Sequence, residues 1–160
     1  MYTEDQRFAL WVYLVAIAVT CISLAGLVIA ANTPNANPVP IATVIVVAVL
    51  CAFLWDVLVL RTTVSRDGVY VRLGWPIPIF WTRIGAGRIR EARVVTYRPL
   101  LDAGGWGLRF GRFDGRFATF WNARGNRGVM IETDSRRYVI GSQSPELLHA
   151  AIELVRNRGA

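Results

Sequence analysis

From Phe8 to Trp55 no residue carries a charge, and apolar side chains run on without a polar stripe. Beyond Leu60 the pattern changes: apolar and polar positions alternate in short runs separated by Gly, Asp and Asn. The uninterrupted part divides at "NTPNANP", residues 32–38, where two prolines and three asparagines break any helix. That leaves apolar runs at residues 8–31 and 39–60. About 20 residues rising 1.5 Å each cover the roughly 30 Å hydrocarbon core of a bilayer, so each run is long enough to span one. The short polar turn makes the second run return. Residues 1–60 thus read as a transmembrane helical hairpin.

The alternating part reads as strands. "TTVSRDGVYVRLG", residues 62–74, is strand, turn, strand, with the turn at Asp67-Gly68. Val69, Val71 and Leu73 face one way; Tyr70 and Arg72 face the other. "WPIPIFWTRI" is interrupted twice by proline and reads as an edge strand or an extended crossover. Residues 88–98 read as one long strand and "RPLLDAGGWG" as a loop. Four more strands follow, broken by "DG", "NARGN" and "DS". Ser144-Pro145-Glu146 then opens a helix, with Leu147, Leu148, Ala151, Ile152 and Val155 as its apolar stripe. Six to eight short antiparallel strands and a final helix predict an all-β or α+β domain over residues 61–160. The strands should curl into a small barrel or sandwich, closed by the helix, because one open sheet would leave its inner face uncovered.

Charge separates along the same line. Residues 61–160 hold 17 Arg against 8 acids, whereas residues 1–60 hold Arg7 against Glu4, Asp5 and Asp56; the net charge is +7. Every basic residue is Arg, a planar fork suited to phosphate and aromatic faces, although a GC-rich codon bias gives the same result. Arg61, Arg66 and Arg72 flank the second run and the connecting turn is uncharged, so the positive-inside rule puts both termini and the β domain in the cytoplasm of a bacterial cell, at its inner membrane. The acidic start "MYTEDQR" and the length of the first run argue against a cleaved signal peptide. Cys21 and Cys51 read as small apolar residues packed between the helices. Asp56 is the one acid inside a span; next to Arg61 it reads as an interfacial acid paired with Arg7, Arg61 or the domain, with a proton or ion pathway as the functional alternative.

Residues 62–156 resemble the bacterial pleckstrin-homology-like (PH-like) domains of small membrane proteins. The resemblance is carried by "VSRDGVYVRLG", "WTRIGAGRI", "GGWGLRF", "RGVMIETDSRRYVIGS" and "SPELLHAAI", and by the membrane hairpin before them; it covers about 60% of the chain. It implies two packed antiparallel sheets closed by a C-terminal helix, and no enzyme activity.

Catalytic chemistry is hard to assemble from this chain. The only His, His149, sits in the last helix, and the β domain has no Cys. Glu132 and Asp134 share a strand without a His partner, and neither "GAG" nor "GGWG" introduces a helix as a phosphate-binding loop must. No enzyme activity, cofactor, metal or nucleic-acid partner is therefore expected. One stretch draws a binding hypothesis: "RFGRFDGRFATFW", residues 109–121. Asp114-Gly115 predicts a two-residue hairpin that pairs Phe113 with Arg116, Arg112 with Phe117, Arg109 with Phe120 and Leu108 with Trp121. Trp106, Leu108, Phe110, Phe117 and Trp121 are then expected in the core. Arg109, Phe113, Arg116 and Phe120 fall on the other face, either as a solvated sheet surface or as a basic, aromatic contact for anionic lipid headgroups. The function expected is a membrane-anchored binding or assembly module. Its partner is then the bilayer, or else a membrane protein or a second copy taken at a strand edge or groove.

Overall fold

The computed structural model describes residues 1–32, 46–47, 49–51, 58–74 and 77–159. Two units separate: Phe8–Asp56, and a strand-rich unit that joins Met1–Arg7 to Val57–Ala160.

The apolar unit begins with helix α1, Leu10–Asn32. Its stretch Leu10–Ile29 is long and apolar enough to cross a membrane, and is the one such helix among the described residues. Leu10, Leu14, Ile17, Ile22, Val28 and Ile29 are exposed on several sides of it. Thr20 and Ser23 hide their hydroxyls by donating to the carbonyls of Ala16 and Val19, both at 2.8 Å. Cys21 is exposed rather than packed between helices, whereas Cys51 is half-buried with its Sγ 3.2 Å from Thr20 Oγ1. Residues 46–47 and 49–51 are helical. The remainder of the second expected span, including Asp56, lies outside the described residues up to 57. Its last residues, Val59 and Leu60, are strand rather than helix. The reason is tertiary: Leu60 is fully buried between sheet neighbours.

The strand-rich unit contains nine strands among the described residues, in two sheets. The first sheet is β1 (Tyr2–Arg7), β2 (Val59–Ser65), β3 (Gly68–Leu73) and β4 (Phe80–Gly85), in that order and all antiparallel. The chain start is therefore not a bare flank of a membrane helix. It is an edge strand, with Arg7 opposite Val59 and Tyr2 opposite Val64. This differs from a division at residue 60. Val69, Val71 and Leu73 point into the core, as their alternation predicts. The β2–β3 turn is Arg66–Asp67, one residue earlier than Asp67-Gly68; Gly68 sits just after it at φ +138°, where a Cβ would collide with the Ile84 carbonyl.

A 3-10 turn, Ala86–Arg88, leads into the second sheet. Its strands are β5 (Ile89–Thr96), β6 (Gly107–Phe113), β7 (Arg116–Asn122), β8 (Arg127–Thr133) and β9 (Arg137–Gly141), in the order β5-β8-β9-β7-β6. The sheets do not close into a barrel, because β5 pairs with β8 and not with β4. Nor is the pairing wholly antiparallel: β9 inserts between β8 and β7 and runs parallel to β7. The loop after β7 carries the chain past the slot that β9 later fills.

Helix α3, Pro145–Gly159, packs against β2 and β3 of one sheet and β5 and β8 of the other. Leu148, Ile152 and Val155 are buried, but Leu147, expected in the stripe, is 63% exposed. The second sheet buries its other face as well. Val95, Phe113, Ala118, Phe120, Met130 and Val139 form a core there with Tyr97 and Ala103. Tyr97 and Ala103 flank a single helical turn, α2 (Pro99–Asp102), in the stretch expected to be a plain loop. Gly111 lets that turn lie on β6, since a Cβ would come 2.1 Å from the Asp102 carbonyl oxygen. β1 ties the sheets together at one end. Gln6 donates to the Gly141 carbonyl at 2.6 Å, and the Glu4 carboxylate accepts from Ser142 Oγ at 2.6 Å and Gln143 N–H at 2.7 Å.

Candidate functional site

The expected contact hairpin has the predicted register, but its phenylalanines are buried and exposed the other way round. Asp114 and Gly115 take φ values of +50° and +75°, the left-handed pair a tight two-residue turn needs, and all the expected cross-strand pairs form. Yet Phe113 and Phe120 are buried, with Phe120 5.9 Å from the Tyr97 ring and 6.3 Å from the Phe113 ring. They belong to the core and offer nothing to a lipid. Phe110 and Phe117, expected inside, are 67% and 71% exposed. The physical reason is the turn 99–102 lying over β6: it covers the face that carries Phe113 and Phe120. Trp121 is buried as expected. Arg109 and Arg116 remain exposed. Asp56 is not among the described residues.

Arg116 leads to a charged cluster around the β8–β9 turn, residues 133–136. Its guanidinium donates to Glu132 Oε1 at 2.7 Å, while the buried Arg137 donates to Glu132 Oε2 at 2.8 Å and to the Phe113 carbonyl at 2.9 Å. Arg137, foremost, holds the Glu132 carboxyl below its usual range, with Arg116 adding to it. These groups line a cleft of about 260 Å³ together with Phe117, Thr133 and Ser135.

A larger cleft of about 620 Å³ lies on the other flank of the same turn. Thr82, Arg83, Ile84 and Arg88 form one wall; Thr133, Asp134, Ser135, Arg136 and Tyr138 form the other. Asp134 is held by the hydrogen bond from Arg90, which lowers its pKa, with a smaller contribution from Arg88. Arg83 pairs loosely with Asp67 at 3.4 Å, both well exposed. No single stretch of sequence contains this cleft; only the separate residues were visible as scattered Arg and Thr.

A third surface lies at the opposite end of the first sheet. The last rows that cross all four strands before the apolar segment are Gln6–Leu60–Leu73–Phe80 and Asp5–Arg61–Arg72–Trp81. Arg61 forms an ion pair with Asp5, which raises the Arg61 pKa further. Phe80, Trp81 and Ile77 are 46%, 61% and 69% exposed there. The sequence around Ile77, Phe80 and Trp81 reads only as an edge strand or an extended crossover. His149 is engaged elsewhere, with Nε2 3.0 Å from the Ala92 carbonyl.

Comparison of the chain with protein-family models, curated proteins and solved structures finds no match.

Proposed function

We propose that this protein is a non-enzymatic binding module anchored in the bacterial inner membrane by a two-helix hairpin, with a PH-like β domain held at the cytoplasmic bilayer surface. The pairing of β1 with β2 carries this reading. The chain leaves the strand-rich unit after Arg7 and rejoins it at Val57, and Arg7 and Val59 are register partners. A chain that crosses a bilayer once in Leu10–Ile29 must cross again to come back to the same sheet end. The helical residues 49–51 and the Thr20–Cys51 contact support that return. The C-terminal helix lying across two sheets supports the PH-like reading.

The lipid-facing role moves from the hairpin at Asp114-Gly115 to the rim of Arg7, Arg72, Phe80 and Trp81. These residues share the sheet end from which the apolar segment departs, and aromatic and basic side chains suit the headgroup layer. Each Arg near an anionic leaflet contributes about 1 kcal/mol of attraction.

The test is single-cysteine labelling in intact cells, with Cys21 and Cys51 replaced by Ala. Asn35→Cys should react with an impermeant reagent from outside. Thr3→Cys and Arg158→Cys should react only after permeabilisation. Outside labelling at Arg158 would overturn the proposal.

A second reading has its own observation. β6 is an edge strand, and Phe110 on it and Phe117 on the neighbouring β7 stand exposed. An apolar strand edge is a place for a partner protein or a second copy to add a strand.

A further inference from the structure

We propose that the larger cleft beside the β8–β9 turn binds a phosphate group. The two flanks of that turn differ in charge balance. In the smaller cleft the Glu132 carboxylate already takes both Arg116 and Arg137. In the larger one the lining carboxylate, Asp134, is engaged by Arg90, with a smaller attraction to Arg88. Arg88 and Arg136 form no ion pair within 4.0 Å among the described residues, and both are exposed; Arg136 lines both clefts and Arg88 the larger one. Two guanidinium forks therefore line a polar cavity with Arg83 beside them and the hydroxyl side chains of Thr82, Ser135 and Tyr138 in the walls, while the Thr133 hydroxyl holds the turn by donating to the Arg136 carbonyl at 2.7 Å. Planar multi-donor forks and hydroxyls match the several acceptor oxygens of a phosphate better than a single carboxylate. The cavity falls in the size range of small-molecule sites.

The source expected is a soluble phosphate compound. Arg83 and Arg88 flank the Gly68–Gly85 end of the first sheet, opposite the Arg7–Val59 end from which the apolar segment departs. The binding chemistry does not depend on how the hairpin crosses the membrane, so this site and the anchoring stand or fall separately.

The experiment uses the full chain in a neutral detergent at low salt. Inorganic pyrophosphate is titrated by calorimetry in one arm; phosphatidic acid, a lipid with a terminal phosphate, is added to the micelles in the other. Pyrophosphate should bind, and the double variant Arg88→Gln, Arg136→Gln should weaken binding about tenfold or more. Arg109→Gln, on the far strand β6, should leave it unchanged, and an unaltered melting curve for the double variant confirms that it folds. Arg88- and Arg136-dependent binding of phosphatidic acid alone assigns the same phosphate site to a lipid headgroup. Binding in neither arm, or binding that the double variant retains in full, overturns the proposal.

Discussion

Phe120 and Phe117 lie three residues apart on one strand and should behave as opposites. Phe120 is fully buried against Tyr97 and Phe113, so Phe120→Ala should cost about 3–5 kcal/mol. Phe117 is 71% exposed, and Phe117→Ala should stay within about 0.5 kcal/mol. Urea unfolding followed by near-UV circular dichroism checks both, and equal losses would contradict the burial of Phe120 and the exposure of Phe117. Glu132 gives a pH-dependent counterpart. Its folded pKa is depressed by Arg137, so its stabilising contribution is present above the unfolded carboxyl pKa and is lost as pH falls through the folded value. Glu132→Gln lacks that contribution at every pH. The gap in urea midpoint between wild type and Glu132→Gln should therefore narrow as pH falls below the ordinary carboxyl value of about 4.3. A gap that stays constant would show that Arg137 does not depend on this carboxylate.

Among the elements, β1 is the most consequential. It completes the first sheet and satisfies groups at the end of the second: the Gly141 carbonyl, the Ser142 hydroxyl and the Gln143 N–H. A fragment starting at residue 58 loses all three contacts and bares the edge of β2. A chain in which residues 8–57 are replaced by a turn of about four Gly and Asn residues keeps them, because paired strand ends need only a short loop. We expect the linked chain to be soluble, rich in strand and cooperative in thermal unfolding. The fragment should melt lower or fail to unfold cooperatively. Equal melting temperatures would show that β1 is a passenger on the sheet.

The whole molecule has two functional ends in this reading, an aromatic and arginine rim where the apolar segment departs and a basic cleft at the other end of the first sheet. They should meet different solvents. With Cys21 and Cys51 replaced by Ala, a spin label at Trp81→Cys in anionic liposomes should be shielded from a water-soluble relaxation agent. One at Arg136→Cys should be freely accessible to it. High salt should loosen the contact at position 81, since screening shortens the reach of the Arg charges to a few ångströms. Full aqueous accessibility at position 81 would place the rim away from the bilayer.

Sequence alone determines what is local here. The length of the apolar run at residues 8–31 follows from the cost of hydrating each side chain, and α1 begins and ends close to it. Asp114-Gly115 specifies a left-handed turn, and a two-residue turn leaves one register for Phe113 to pair with Arg116. Val69, Val71 and Leu73 alternate with polar residues, so their inward direction is legible before any partner is known. The tertiary structure decides wherever local signals balance or partners are remote. β6 and β7 carry aromatic residues on both faces, and only the turn at Pro99–Asp102 settles which face is covered. "MYTEDQR" has no apolar alternation of its own; it becomes a strand because Val59–Ser65, more than fifty residues on, offers it an open edge. The large cleft likewise joins Arg83 and Arg88 to Thr133–Arg136, because β5 pairs with β8 in the register Ile89 to Thr133. Pairing between distant strands depends on the loops and layers that bring them together, and no short window of sequence contains those.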